Sequence, residues 1–158
     1  MVHPRSRCVR GPLICAVVLA FVAPGCGDTS GVGRTVPVAG RVTLDGAPWT
    51  AASTVIVFKP DSAKGNSLPW EPTGSVDNQG NYTLSTKGRP GAPPGWYKVT
   101  VTAVETRPLE TTKGPRRKLP TAKSLLPARY GQAATTPLAL EVVDSPAPDA
   151  YDLKLTGG

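Results

Sequence analysis

A chain of 158 residues has room for one domain with a leader or a tail. Its 17 Gly and 18 Pro favour turn-rich β structure over long helices, because both residues break a helix interior. The formal charge of +7 is local: Arg5, Arg7 and Arg10 sit in the first 25 residues, and seven of the other 15 basic residues lie between Arg107 and Arg129 beside one acid, Glu110.

The first ten residues are short and positive, and Leu13 to Ala23 is an uncharged run of eleven residues ahead of Pro24, Gly25 and Cys26. That order of charged, apolar and small residues predicts a secretory leader over residues 1–25. Eleven residues fall short of the roughly 20 that span a bilayer. The run ending on Gly25-Cys26 resembles a bacterial lipoprotein signal. The resemblance implies that Cys26 starts the mature protein and carries diacylglycerol and an N-acyl chain. The expected partner is then a membrane, reached through that lipid from the periplasmic side or the cell surface; several acyl chains hold a protein where one does not. Residues 26–35, with Gly, Ser and Thr between Asp28 and Thr35, read as a flexible tether.

From Val36 the chain alternates. Val36, Val38, Gly40, Val42 and Leu44 share one strand face, and Asp45-Gly46 turns the chain. Thr54 to Phe58 is a β-branched apolar run suited to a central strand, followed by a polar loop from Pro60 to Pro69. Thr73–Val76 and Asn81–Ser85 flank Asp77-Asn78-Gln79-Gly80, a hairpin signal in which Gly80 takes the positive φ. Thr86 to Gly95 reads as a loop, and Pro93-Pro94-Gly95 leads into the clearest strand, with Tyr97, Val99, Val101 and Ala103 inward. Residues 107–130 show no period and read as a long basic loop, a length that is usually functional or disordered. Alternation resumes at Leu138, Leu140 and Val142, and again at Tyr151, Leu153 and Leu155. About seven strands separated by turns predict an all-β sandwich over residues 36–158.

Six phrases, VPVAGRVTLDGAP, TVIVFKP, SVDNQGNYTLST, GAPPGWYKVTV, LLPARYGQAATTPLALEV and YDLKL, follow one another from Val36 to Leu155. In this order they resemble the transthyretin-like or carboxypeptidase-regulatory-like lipoproteins of the planctomycete type. The resemblance implies a single Greek-key β-sandwich of seven or eight strands outside the cytoplasm. It implies no reaction, and a fold alone supplies none.

The only histidine is His3, and Cys8, Cys15 and Cys26 are the only cysteines. Residues beyond Cys26 therefore offer no imidazole and no thiol, which rules out Ser-His-Asp and Cys-His catalysis and ordinary zinc sites there. No enzyme, cofactor or metal is expected. Asp77, Asn78 and Asn81 lack the ligand spacing of a calcium loop and read as a turn. Asp144, Asp149 and Asp152 fall in or beside a turn and on a polar strand face. Two groups remain as candidate contacts. Lys113, Arg116, Arg117, Lys118 and Lys123 suit an anionic partner, phospholipid headgroups or an acidic glycan. Nucleic acid does not fit, because no aromatics interleave the cluster. Trp49, Trp70 and Trp96 are a candidate platform for an envelope glycan or peptide, against a plainer reading as packing at the edge of the core.

Overall fold

The computed structural model of the chain describes residues 31–51, 53–105 and 123–157. Ten strands among them form two sheets that do not close into a barrel, an all-β sandwich. The smaller sheet is built on β1 (Ala39–Leu44), which pairs with β2 (Ala47–Pro48), β5 (Asn81–Thr83) and β10 (Leu153–Leu155). The larger sheet runs in the order β7 (Arg89–Pro90), β6 (Ser85–Thr86), β4 (Thr73–Ser75), β3 (Thr54–Pro60), β8 (Gly95–Ala103) and β9 (Ala139–Val142). Seven of the ten strands are those the alternation predicts; β2, β6 and β7 are two-residue strands too short to show a period.

The centre of the larger sheet is the antiparallel pair β3–β8, in register from Thr54 opposite Ala103 to Pro60 opposite Tyr97. Tyr97, Val99, Val101 and Ala103 alternate inward and are essentially unexposed, as are Ile56 and Phe58 across from them. Val99, Val101, Ile56 and Phe58 each contribute roughly 1.5–3 kcal/mol by leaving water. Val38, Val42, Tyr82, Leu153 and Leu155 close the core from the smaller sheet. The β3 run reads in sequence as apolar on both faces, yet Val55 stays 46% exposed. β3 is central within its sheet, but only one side of that sheet is covered.

The predicted hairpin at Asp77–Gly80 forms, and its two arms part company. Asp77 Oδ1 accepts the N–H groups of Gln79 and Asn81 at 2.8 Å, and Gly80 turns at φ 84°. Thr73 pairs with Ser85 and Val76 bridges Tyr82, while Asn81–Thr83, Tyr82 included, also pair with β1 of the other sheet. The hairpin thus stitches the two sheets together. The expected loop over residues 86–95 instead holds a tight β6–β7 turn at Lys87-Gly88, both residues at positive φ (49° and 81°), as a two-residue hairpin turn demands.

Two boundaries move. Residues 31–35 fall within the expected tether, but Val32 is buried and Arg34 pairs with Asp144. Likewise the end of the expected basic loop joins the core. Leu126 and Tyr130 are buried around a short 3-10 turn at Ala128–Gly131, and Ser124 bridges Val104. Tyr130 is drawn in because its hydroxyl accepts the Thr156 N–H at 2.8 Å, while its ring fills the core.

Candidate functional site

Strand directions give the sandwich two distinct ends. β8 begins at Gly95 where β3 finishes at Pro60, and this is also where the described chain starts: Val36 bridges Ala92, and a Cβ placed on Gly31 would lie 4.0 Å from Trp70 Cζ2. At the far end β8 gives way to the Val104–Ser124 bridge. At about 3.3 Å per residue the β8 strand separates these ends by roughly 27 Å.

The three tryptophans divide between the ends. Trp49 belongs to the far one. Its Nε1 donates to Thr54 Oγ1 at 2.8 Å, that hydroxyl donates in turn to the Ala51 carbonyl, and the ring packs on the core. Trp49 is therefore a wedge at the edge of the core. Trp96 and Trp70 belong to the near end. Lys64 places its ammonium 3.5 Å from the Trp96 ring centre, and Lys87 places its own 3.8 Å from that of Trp70. The three do not form one platform, and the two half-buried indoles at the near end already carry a cation on one face.

Trp96 lies on an open cleft of about 560 Å³ lined by Lys64, Asn66, Leu68, Pro94 and Glu141. Asn66 shapes it. This buried side chain donates from Nδ2 to the Trp96 carbonyl at 2.8 Å and accepts the Leu68 N–H at 3.2 Å. Gly95, at φ 141°, lets Asn66 in, since a Cβ there would sit 2.9 Å from Asn66 Nδ2. The Pro-rich loop after β3 is thus pinned to the start of β8, with Leu68 left 36% exposed on its outside. Local sequence pattern points to neither lysine and not to Asn66, because each meets its indole or carbonyl only through the fold.

Of the basic candidates, Lys123 is exposed beside the Val104–Ser124 bridge at the far end. Lys113, Arg116, Arg117 and Lys118 lie outside the described residues, as does Cys26. Arg129, counted with the basic run, is engaged: its Nη2 donates to the carbonyls of Thr156 at 2.6 Å and Gly157 at 3.2 Å. The carboxylates singled out in the sequence have structural tasks. Asp77 holds its turn, and the N–H groups of Asn81 and Gln79 keep its carboxyl below the ordinary range. Hydrogen bonding and charge from Arg34 do the same for Asp144. Asp152 Oδ1 accepts the Arg41 N–H at 2.8 Å, and Asp149 takes a turn conformation at φ 58°. Among the described residues no three His, Cys, Asp or Glu side chains gather as metal ligands.

Comparison with protein families, with curated proteins and with solved structures finds no match to this chain.

Proposed function

We propose that this chain is an exported, non-enzymatic β-sandwich, held at a membrane by lipid on Cys26 and serving as a structural or interaction module of the cell envelope, of the transthyretin-like kind its phrases resemble. The leader pattern and the placement of Cys26 support export and lipidation. The observation that carries the reading is the two-ended build of the domain. Val32 is buried only six positions after Cys26, so a lipid there keeps the near end within about 22 Å of the bilayer. Lys123 and the Val104–Ser124 bridge, which flank the stretch of sequence holding Lys113, Arg116, Arg117 and Lys118, lie at the far end. An acidic glycan or an acidic face of an envelope protein matches that charge better than the headgroups of the anchoring membrane, which lie at the other end. Separating anchor from contact loop across one rigid sandwich is what a spacer or docking module requires.

The test is Cys26→Ala in the full chain, followed by cell fractionation. The unaltered protein is expected in the membrane fraction and the variant in the soluble exported fraction. If the variant stays with membranes, lipid on Cys26 is not what holds it.

A further inference from the structure

We propose that the near end of the sandwich is itself a membrane-contact surface: Trp70, Trp96 and Leu68 enter the headgroup region of an anionic bilayer, and Lys64 and Lys87 move from the indole faces to lipid phosphates. The proposal rests on the Cys26 reading and adds to it which face lies down and which side chains touch lipid.

Position comes first. The described chain begins beside Trp70, and Gly31 is five residues from Cys26, a reach of at most about 18 Å. A lipid on Cys26 therefore keeps this end within reach of the bilayer whatever else the domain does.

Composition comes second. The near end presents two half-buried indoles and the exposed Leu68, each indole with a lysine ammonium stacked upon it. Trp is the residue that settles at the membrane–water boundary, with an apolar ring and a polar N–H to divide between the two phases. Lysine beside it can lay its carbon stem along the apolar layer and keep the ammonium among phosphates. In water the same ammonium rests on the ring, a weak contact at an exposed site that a phosphate can replace.

Charge comes third. Glu71 pairs with Lys59 at 3.0 Å, and Asp144 pairs with Arg34, so two of the acids at this end are already compensated. Glu141, opposite Trp96 in register, is the acid that remains on the cleft. Trp70 and Lys87 stand clear of it, and contact is expected to be deepest on their side. The loop that carries Leu68 is fixed by buried Asn66, so these side chains are held in place before they meet lipid.

The experiment uses the full lipidated chain reconstituted into vesicles of phosphatidylglycerol and phosphatidylcholine, with bromine on the acyl chains near the headgroup as a fluorescence quencher. Flotation of the vesicles reports the anchor alone. Quenching reports the surface. In the floated protein, Trp49→Phe is expected to keep nearly all of the quenching, and the double variant Trp70→Phe/Trp96→Phe to lose most of it. Lys64→Gln/Lys87→Gln leaves both indoles in place and is expected to reduce quenching on anionic vesicles but not on purely zwitterionic ones. If the protein floats and its fluorescence is unquenched, or the quenching survives the double tryptophan variant, the surface is assigned wrongly while the anchor stands. Quenching indifferent to the lysine change and to lipid charge also overturns the assignment of phosphate binding. If the protein does not float, the Cys26 reading fails and this proposal with it.

Discussion

Tyr82, Gly40 and Tyr151 form the joint on which the smaller sheet depends, and a change at Gly40 tests it. Gly40 of β1 faces Tyr82 of β5 in register, and the Tyr82 hydroxyl reaches across to donate to the Tyr151 carbonyl at 2.6 Å. A Cβ on Gly40 would overlap that carbonyl and come 3.1 Å from Tyr82 Cε1, so the glycine is what lets the final strand segment lie against β1. Gly40→Ala must push Tyr151 away, at about 1–3 kcal/mol for overpacking. Tyr82→Phe removes one donor and leaves a buried carbonyl without it, at about 1–2 kcal/mol. For a domain of this size each kcal/mol lowers Tm by about 3–6 °C. Both changes break the same bond, so the double variant should fall short of the sum by about 0.5 kcal/mol or more. Urea unfolding of the full chain, followed by circular dichroism, measures all four corners of the cycle. Titration adds a second readout. Burial, with help from the Asp152 charge, raises the Tyr82 phenol well above its ordinary value. The folded state therefore keeps a proton that the unfolded chain gives up near pH 10, and stability falls as pH rises above that point. Tyr82→Phe should make this alkaline loss shallower, leaving the share of buried Tyr97, which is also raised by burial. Gly40→Ala as stable as the parent, or purely additive effects, would refute the joint.

Two further outcomes test the face assignment and the hairpin turn. Val99 is wholly buried opposite Phe58, so Val99→Asp places an unpaired charge in the core and should leave no cooperative unfolding transition, whereas Thr102→Asp, three residues along on the exposed face, should change little; a folded Val99→Asp protein, or equal damage from both, sinks the assignment. Asp77 titrates below its ordinary value because backbone N–H groups bind its ionised form, so its contribution is present above the unfolded carboxyl value of about 3.9 and disappears as pH falls through the lower folded one. Urea midpoints between pH 5 and pH 2 should drop more steeply for the parent than for Asp77→Asn, and coincident acid limbs would remove Asp77 from that role.

Much of the fold is legible in the chain because strand alternation is a local signal. Tyr97, Val99, Val101 and Ala103 announce their face without reference to any other strand, and the Asp45-Gly46 and Asp77–Gly80 turns announce themselves through residues that tolerate the backbone they need. The expectation of a leader ending before Cys26 rests on the same kind of local signal, a contiguous run with its own composition. What stayed hidden is whatever depends on partners distant in sequence. Asn81–Thr83 looks like the plain return arm of a hairpin, yet it pairs with β1 across the sandwich. Tyr130 looks like the end of a loop and is core. Three tryptophans invite one platform, but the direction of β3 and β8 sends Trp49 to one end and Trp70 and Trp96 to the other. The lysines over those indoles carry no local mark at all. Sequence by itself marked seven of the ten strands with their inward faces and offered the candidate anchor, since each is signalled by neighbours along the chain. Only the tertiary structure decided which sheet each strand joins and at which end Trp70, Trp96 and residues 31–36 gather, because those follow from pairings that close long loops and leave no periodic trace in the residues between.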